Sequence, residues 1–161
     1  MPVPRGTVVD ASGILVGMPT DLSLKTMNAV HRVALKLSGG RVGWTAAGMP
    51  VVEVTTTGRK SGQPRTVMLT SPYQEGSTWA IVASRGGDDR APAWYLNIEA
   101  DPNIDVAFQG GPKERIVARI AGAEERARLW PLITGSQARY AGYQKRTTRE
   151  IPVVLLDRRS T

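Results

Sequence analysis

Hydrophobic and polar positions change period twice along the chain. Over 23–37 the apolar residues Met27, Val30, Val33, Ala34 and Leu37 recur at helical spacing. Ser23 can cap the start of this predicted helix and Gly39-Gly40 can end it, with His31 off the apolar stripe beside Arg32. Ahead of it, residues 1–22 are rich in Gly, Pro and small residues without a period, which predicts an extended or mobile lead-in. From Pro50 the pattern shortens to β-branched runs broken by turn residues. Strands are predicted over 51–57, 66–71, 78–84, 104–108, 115–120 and 151–156. The loops 58–64, 74–77 and Gly110-Gly111-Pro112 separate them. Two helices interrupt this series. A short one has Pro92 at its first turn and Asp101-Pro102 closing it. The other runs over 123–133, opens on Glu124 and Glu125, and is kinked or ended by Pro131.

Six short strands with few helices predict a mostly β, α+β fold: a barrel or closed sheet with peripheral helices. The strands do not alternate with long helices, so a doubly wound sheet is excluded. At 161 residues the chain has room for one core, assigned to 23–161 after the lead-in 1–22.

Composition narrows the chemistry. There is no Cys, hence no thiol nucleophile, disulfide or iron–sulfur site, and His31 is the one His, so no His-rich metal site is expected. The chain has no G-x-S-x-G elbow, no G-x-G-x-x-G and no phosphate loop of the G-x-x-x-x-G-K-[ST] type. An enzyme of this composition takes its hard chemistry from a bound cofactor. No apolar run approaches the roughly 18–20 residues of a spanning helix, and the N-terminus lacks a basic region followed by an apolar one. A cytoplasmic location is the expectation. The formal charge of +7, from 21 Lys and Arg against 14 Asp and Glu, favours a polyanionic partner: nucleic acid, acidic lipid or a phosphorylated cofactor. The predicted strands hold one Phe, Phe108, and one Trp, Trp79. That is too few aromatics for base stacking, so nucleic acid is set aside.

The most informative segment is TTTGRKSGQPR at 55–65. A strand runs into a loop with two glycines, the adjacent cations Arg59 and Lys60, the Ser61 hydroxyl and then Arg65. Glycines let backbone N–H groups turn toward an anion. Arg offers a bidentate fork and Lys a point charge. Taken alone, the loop reads equally well as a solvated hairpin.

With VASRGG at 82–87, PAWYLN at 92–97, Tyr140-Ala-Gly-Tyr143-Gln144 and Ile151-Pro152-Val153-Val154, the segment resembles the deazaflavin-dependent nitroreductase family. Five blocks match in order and spacing over roughly residues 45–157. The resemblance implies a split β-barrel, like the FMN-binding split barrel, that binds coenzyme F420, an 8-hydroxy-5-deazaflavin with a phospholactate and a poly-γ-glutamate tail. The reduced ring would deliver hydride to a nitro compound, quinone or activated alkene. Arg59, Lys60 and Ser61 are similar to phosphate and tail contacts. Arg65, Thr66, Val67, Met68 and Leu69 match residues that line the cofactor, and Val82, Ala83, Ser84 and Arg85 match a turn at the ring and phosphate. Ala93, Trp94, Tyr95, Leu96 and Asn97 resemble a short helix against the cofactor, and Tyr140 matches a catalytic tyrosine facing the substrate above the ring. Arg126, Arg128, Arg139, Lys145, Arg146 and Arg149 read mainly as a solvated face.

Two departures bear on substrate choice. Val67-Met68-Leu69-Thr70 stands where family members often carry Asn-Pro-x-aromatic, and Gln137 where an aromatic is common. FMN in the same barrel and a non-catalytic deazaflavin carrier stay open as alternatives. So do a monomer or homodimer, and peripheral membrane contact through the N-terminal helix.

Overall fold

The computed structural model describes residues 44–159 and, within the first 43, the backbone of 7–9 and 15–17. Strand β1 (Thr7–Val9) pairs antiparallel with β2 (Leu15–Gly17), Val8 opposite Val16. A hairpin therefore stands inside the stretch expected to lack regular structure. The helix expected over 23–37, His31 and the boundary after residue 22 lie outside the described residues.

One antiparallel sheet is built on β4 (Met49–Thr57), with β5 (Pro64–Thr70) on one side and β8 (Asn103–Phe108) on the other. Beyond β8 lies β9 (Lys113–Val117), and β3 (Thr45–Ala46) pairs with the start of β4. The second sheet has the order β10 (Arg119–Ile120), β11 (Val153–Asp157), β7 (Thr78–Val82), β6 (Tyr73–Glu75).

Alternation along β4 explains where the core sits. Val52 and Val54 face the second sheet and are fully buried. With Ile104, Val106, Phe108 and Ile116 they meet Ile81, Ala83, Val154 and Leu156 across the gap. Each such aliphatic side chain contributes about 1.5–3 kcal/mol. Helix α1 (Ala93–Ala100) plugs this core with Trp94 and Ile98. The outer face of the second sheet is covered by α2 (Ala123–Ser136) and α3 (Arg139–Lys145), through Leu129, Ile133 and Tyr140 on Ala80, Val82, Val153 and Leu155. Buried on both faces, β7 and β11 read as continuous apolar runs and not as alternating ones.

The structure departs from the sequence reading at further places, and β6 begins the second sheet by running into the loop expected over 74–77. The strand expected over 115–120 breaks at Ala118: β9 pairs with β8 in one sheet and β10 with β11 in the other. Ala118 is buried in the core and its N–H donates to the Pro102 carbonyl (2.8 Å), so the chain switches sheets there. Helix α2 continues past Pro131 to Ser136, because Leu129 and Ile133 anchor it while Pro131 faces solvent. A further helical stretch, α3, carries Tyr140.

Candidate cofactor site

The β4–β5 hairpin loop is closed by Gly58 N–H to the Gln63 carbonyl and Gly62 N–H to the Gly58 carbonyl, both 2.8 Å. Gly62 has φ +69, which favours glycine. The Ser61 hydroxyl accepts from Gln63 N–H (3.2 Å) and from the Arg65 guanidinium (3.3 Å). Ser61 is thus occupied inside the loop, while Arg59, Lys60 and Arg65 are exposed. Among the described residues none of these three cations has a carboxylate within ion-pair distance.

Asn97, on α1 and 4% exposed, fixes the loop to the barrel. Its Oδ1 accepts from the Arg59 backbone N–H (3.1 Å) and guanidinium (3.4 Å), and its amide donates to Thr56 Oγ1 (3.0 Å). A buried amide holding three partners resists rotation, since any released group stays unsatisfied in a dry setting. The loop and the short helix, separate blocks in the sequence, are therefore one unit.

The 83–88 turn follows β7. Ser84 is right-handed (φ −79°, ψ −36°), and Arg85, Gly86 and Gly87 are left-handed at φ 47°, 66° and 86°. A right-handed residue followed by a left-handed one turns successive N–H groups to one side, the geometry of an anion nest. The carbonyls turn the other way and meet donors. Arg149 Nε donates to the Asp88 carbonyl (2.8 Å), and its terminal nitrogen to those of Ala83 (3.1 Å) and Ser84 (2.9 Å). Arg146 donates to the Gly86 carbonyl (3.2 Å). Gly87 presses on the end of α3: a Cβ there would lie 2.6 Å from the Tyr143 carbonyl. The Arg85 guanidinium, largely buried, lies 3.8 Å from the Asp88 carboxylate.

The remaining expected residues divide among the packed layers, those on strands by the period of two. Val67, Leu69, Ala83, Trp94 and Tyr95 share the inner core, Val82 and Tyr140 the cluster under α2 and α3, and Met68 packs with Val51 near Trp44. Thr66 bonds Thr55 across the strands (2.9 Å), Ala93 is exposed and Leu96 half-buried. Tyr140 is 5% exposed, its hydroxyl 3.3 Å from Thr70 Oγ1 and 3.8 Å from Met49 Sδ, its ring edge-on to Tyr143. Burial holds its phenol above the usual tyrosine range, against the opposing hydrogen bond from Thr70. Burial and neighbouring Glu99 push Tyr95 up to about 12.

Sequence reasoning missed Arg149 and Arg126, which it placed on a solvated face. Arg126 Nε donates to the Ile151 carbonyl (2.9 Å), another of its nitrogens reaches Gln144 Oε1 (3.1 Å), and its guanidinium stacks on Trp130. No local pattern signals either, because their acceptors are backbone carbonyls far along the chain. A cavity of about 210 Å³ under α2 lies elsewhere. Its cations are neutralised, Arg128 by Glu75 (2.9 Å) and Arg119 by Glu125 (2.9 Å) and Asp157 (3.0 Å), so it offers a polyanion nothing.

Comparison with known proteins matches residues 27–158 to the family described as F420H(2)-dependent quinone reductase. An F420H(2)-dependent quinone reductase of Mycobacterium tuberculosis (strain H37Rv) is 40% identical over 135 residues, 81% of this chain and 89% of that one. Among solved structures, an F420-H2 dependent reductase called FDR-A is 39% identical with TM-score 0.55, covering 66% of this chain and 92% of its own. Another, titled a domain-swapped dimer, is 35% identical with TM-score 0.58, covering 79% and 95%. The two antiparallel sheets described above are those of the split-barrel fold.

Proposed function

The chain belongs to the F420H(2)-dependent quinone reductase family, and on that footing we propose that it reduces a quinone, or a like organic acceptor, with hydride from reduced coenzyme F420. Two observations carry the reading: three exposed cations on the β4–β5 hairpin, and a backbone nest at 84–86.

These residues fit the cofactor. Its phosphate and glutamate tail are anionic, and Arg59, Lys60 and Arg65 stand without carboxylate partners among the described residues. The nest adds backbone donors for phosphate, and the half-buried Val67 and Leu69 add apolar surface for a ring. When bound, the reduced deazaflavin supplies two electrons as hydride. Reduction of a quinone to a hydroquinone takes that hydride and one proton. Arg59 and Lys60 hold the charged handle, and Asn97 keeps Arg59 in place. Tyr140 carries its proton at neutral pH, as an ordinary tyrosine does, and burial moves its pKa further up, so its hydroxyl can donate a hydrogen bond to the acceptor oxygen as charge builds there. Val82 shares its cluster and Thr70 its hydrogen bond, which ties Tyr140 to the ends of both cofactor strands.

A homodimer belongs to this proposal, supported by the domain-swapped dimer among the solved relatives. So do a cytoplasmic location and a single barrel domain after a lead-in. The purified protein, given reduced coenzyme F420 and a soluble benzoquinone or naphthoquinone, should regain the oxidised deazaflavin absorbance at a rate proportional to enzyme. No rate above the uncatalysed reaction across quinones, nitro compounds and enones would defeat the enzyme reading.

A further inference from the structure

We propose that Arg149 is a positioning residue for the cofactor turn, holding 83–88 in its anion-binding conformation from behind. The proposal rests on the cofactor reading above and assigns a role to a residue outside every matched cofactor block.

A nest aims its N–H groups at the ligand and leaves its carbonyls facing the protein. Here the guanidinium of Arg149 takes two of them, at Ala83 and Ser84, and also the Asp88 carbonyl at the end of the turn, all within 3.1 Å. The planar fork suits this task, since two nitrogens fixed at one angle reach carbonyls on both sides of the turn. The turn needs such support. Arg85 is a side-chain-bearing residue at φ 47°, a conformation that persists only where its surroundings over-determine it.

Arg149 is itself held. Its carbonyl accepts from Gln144 Nε2 (2.8 Å) and its N–H donates to Thr147 Oγ1 (3.3 Å). Gln144 Oε1 in turn accepts from Ile151 N–H (2.9 Å) and Arg126 (3.1 Å). A continuous set of hydrogen bonds thus runs from α2 through α3 to the turn. The charged or titratable groups facing Arg149 are Asp88, Asp89, Tyr95 and Arg85. Its charge lies behind the nest, where it adds to the attraction for an anion without touching it.

The test compares two ligands on the parent protein, Arg149→Gln and Arg149→Lys: phosphate-bearing coenzyme F420, and the same deazaflavin ring with only its ribityl chain. Arg149→Gln should weaken the phosphate-bearing ligand by about ten- to a hundredfold and the fragment far less. Turnover at saturating cofactor should stay near parental. Amide hydrogen exchange should quicken at 83–88 and stay unchanged in α2. Arg149→Lys, which keeps the charge but not the fork, should lie between the two. Equal losses for both ligands, or parental affinity in a folded Arg149→Gln protein, would overturn the proposal. Should Arg149→Gln not fold, the same ligand comparison on Arg149→Lys decides by the same criteria. A parent that binds neither deazaflavin overturns the cofactor reading instead, and unchanged exchange at 83–88 would then separately remove the clamp.

Discussion

Tyr140 is gripped on its ring by an apolar cluster and on its hydroxyl by Thr70 and Met49. A hydroxyl that only completes packing could be deleted at a cost of about 0.5–1.5 kcal/mol in stability with no effect on rate. A hydroxyl that donates to the reacting acceptor carries turnover. Tyr140→Phe should therefore lower kcat by about 10²–10⁴-fold with cofactor affinity kept, and parental rates on several quinones would leave Tyr140 as packing alone. Tyr95 gives a second expectation at this scale. Its folded pKa, about 12, stands above the ordinary tyrosine value of 10.0. Its stabilising share is thus complete below pH 10 and is lost as pH rises toward 12. Tyr95→Phe should flatten that part of the alkaline loss in chemical denaturation curves. The tyrosines were legible as residue types at matched positions. Their burial was not, since it depends on which helix covers which sheet.

At the scale of elements, the strands were readable because β-branched runs have one period and sharp turn residues between them. The break at Ala118 was not, because 115–120 looks like one strand until a partner sheet claims each half. The 83–88 turn was visible as an S-R-G-G string, and its conformation came only with Arg149 and the Tyr143 carbonyl. That conformation separates two glycines. Gly76 has φ 60° with open space around it, whereas Gly87 has φ 86° and backbone 2.6 Å from a would-be Cβ. Gly76→Ala should cost about 1–2 kcal/mol, and Gly87→Ala clearly more, with loss of cofactor affinity. Equal shifts in thermal melts would mean the turn yields easily. The β4–β5 loop makes its own prediction. Arg59→Ala with Lys60→Ala should weaken coenzyme F420 by roughly ten- to a thousandfold. The loss should be larger at low salt and larger with a long glutamate tail than with a tail-less analogue, at unchanged saturated turnover. Parental affinity for both forms at all salt concentrations would reduce the loop to a solvated hairpin.

At the scale of the molecule, the charges of the described residues are sorted by place. Arg128 with Glu75, Arg119 with Glu125 and Asp157, Arg158 with Glu114, and Arg115 with Asp105 close on each other within 3.3 Å. Arg59, Lys60 and Arg65 have no such partner among the described residues. A polyanion therefore finds uncompensated cations at the segment the sequence had already singled out, and the structure adds which of the other cations are already paired. A ligand that binds the folded state also stabilises it, by about 2.7 kcal/mol at a hundredfold excess over Kd. If this barrel is built for a deazaflavin with an anionic tail, parallel equilibrium titrations of the purified protein with oxidised coenzyme F420 and with FMN should separate the two ligands. Coenzyme F420 should bind at micromolar concentration or tighter, roughly 8 kcal/mol, and FMN much more weakly. FMN binding as tightly or more tightly, or no binding of coenzyme F420, would refute that design.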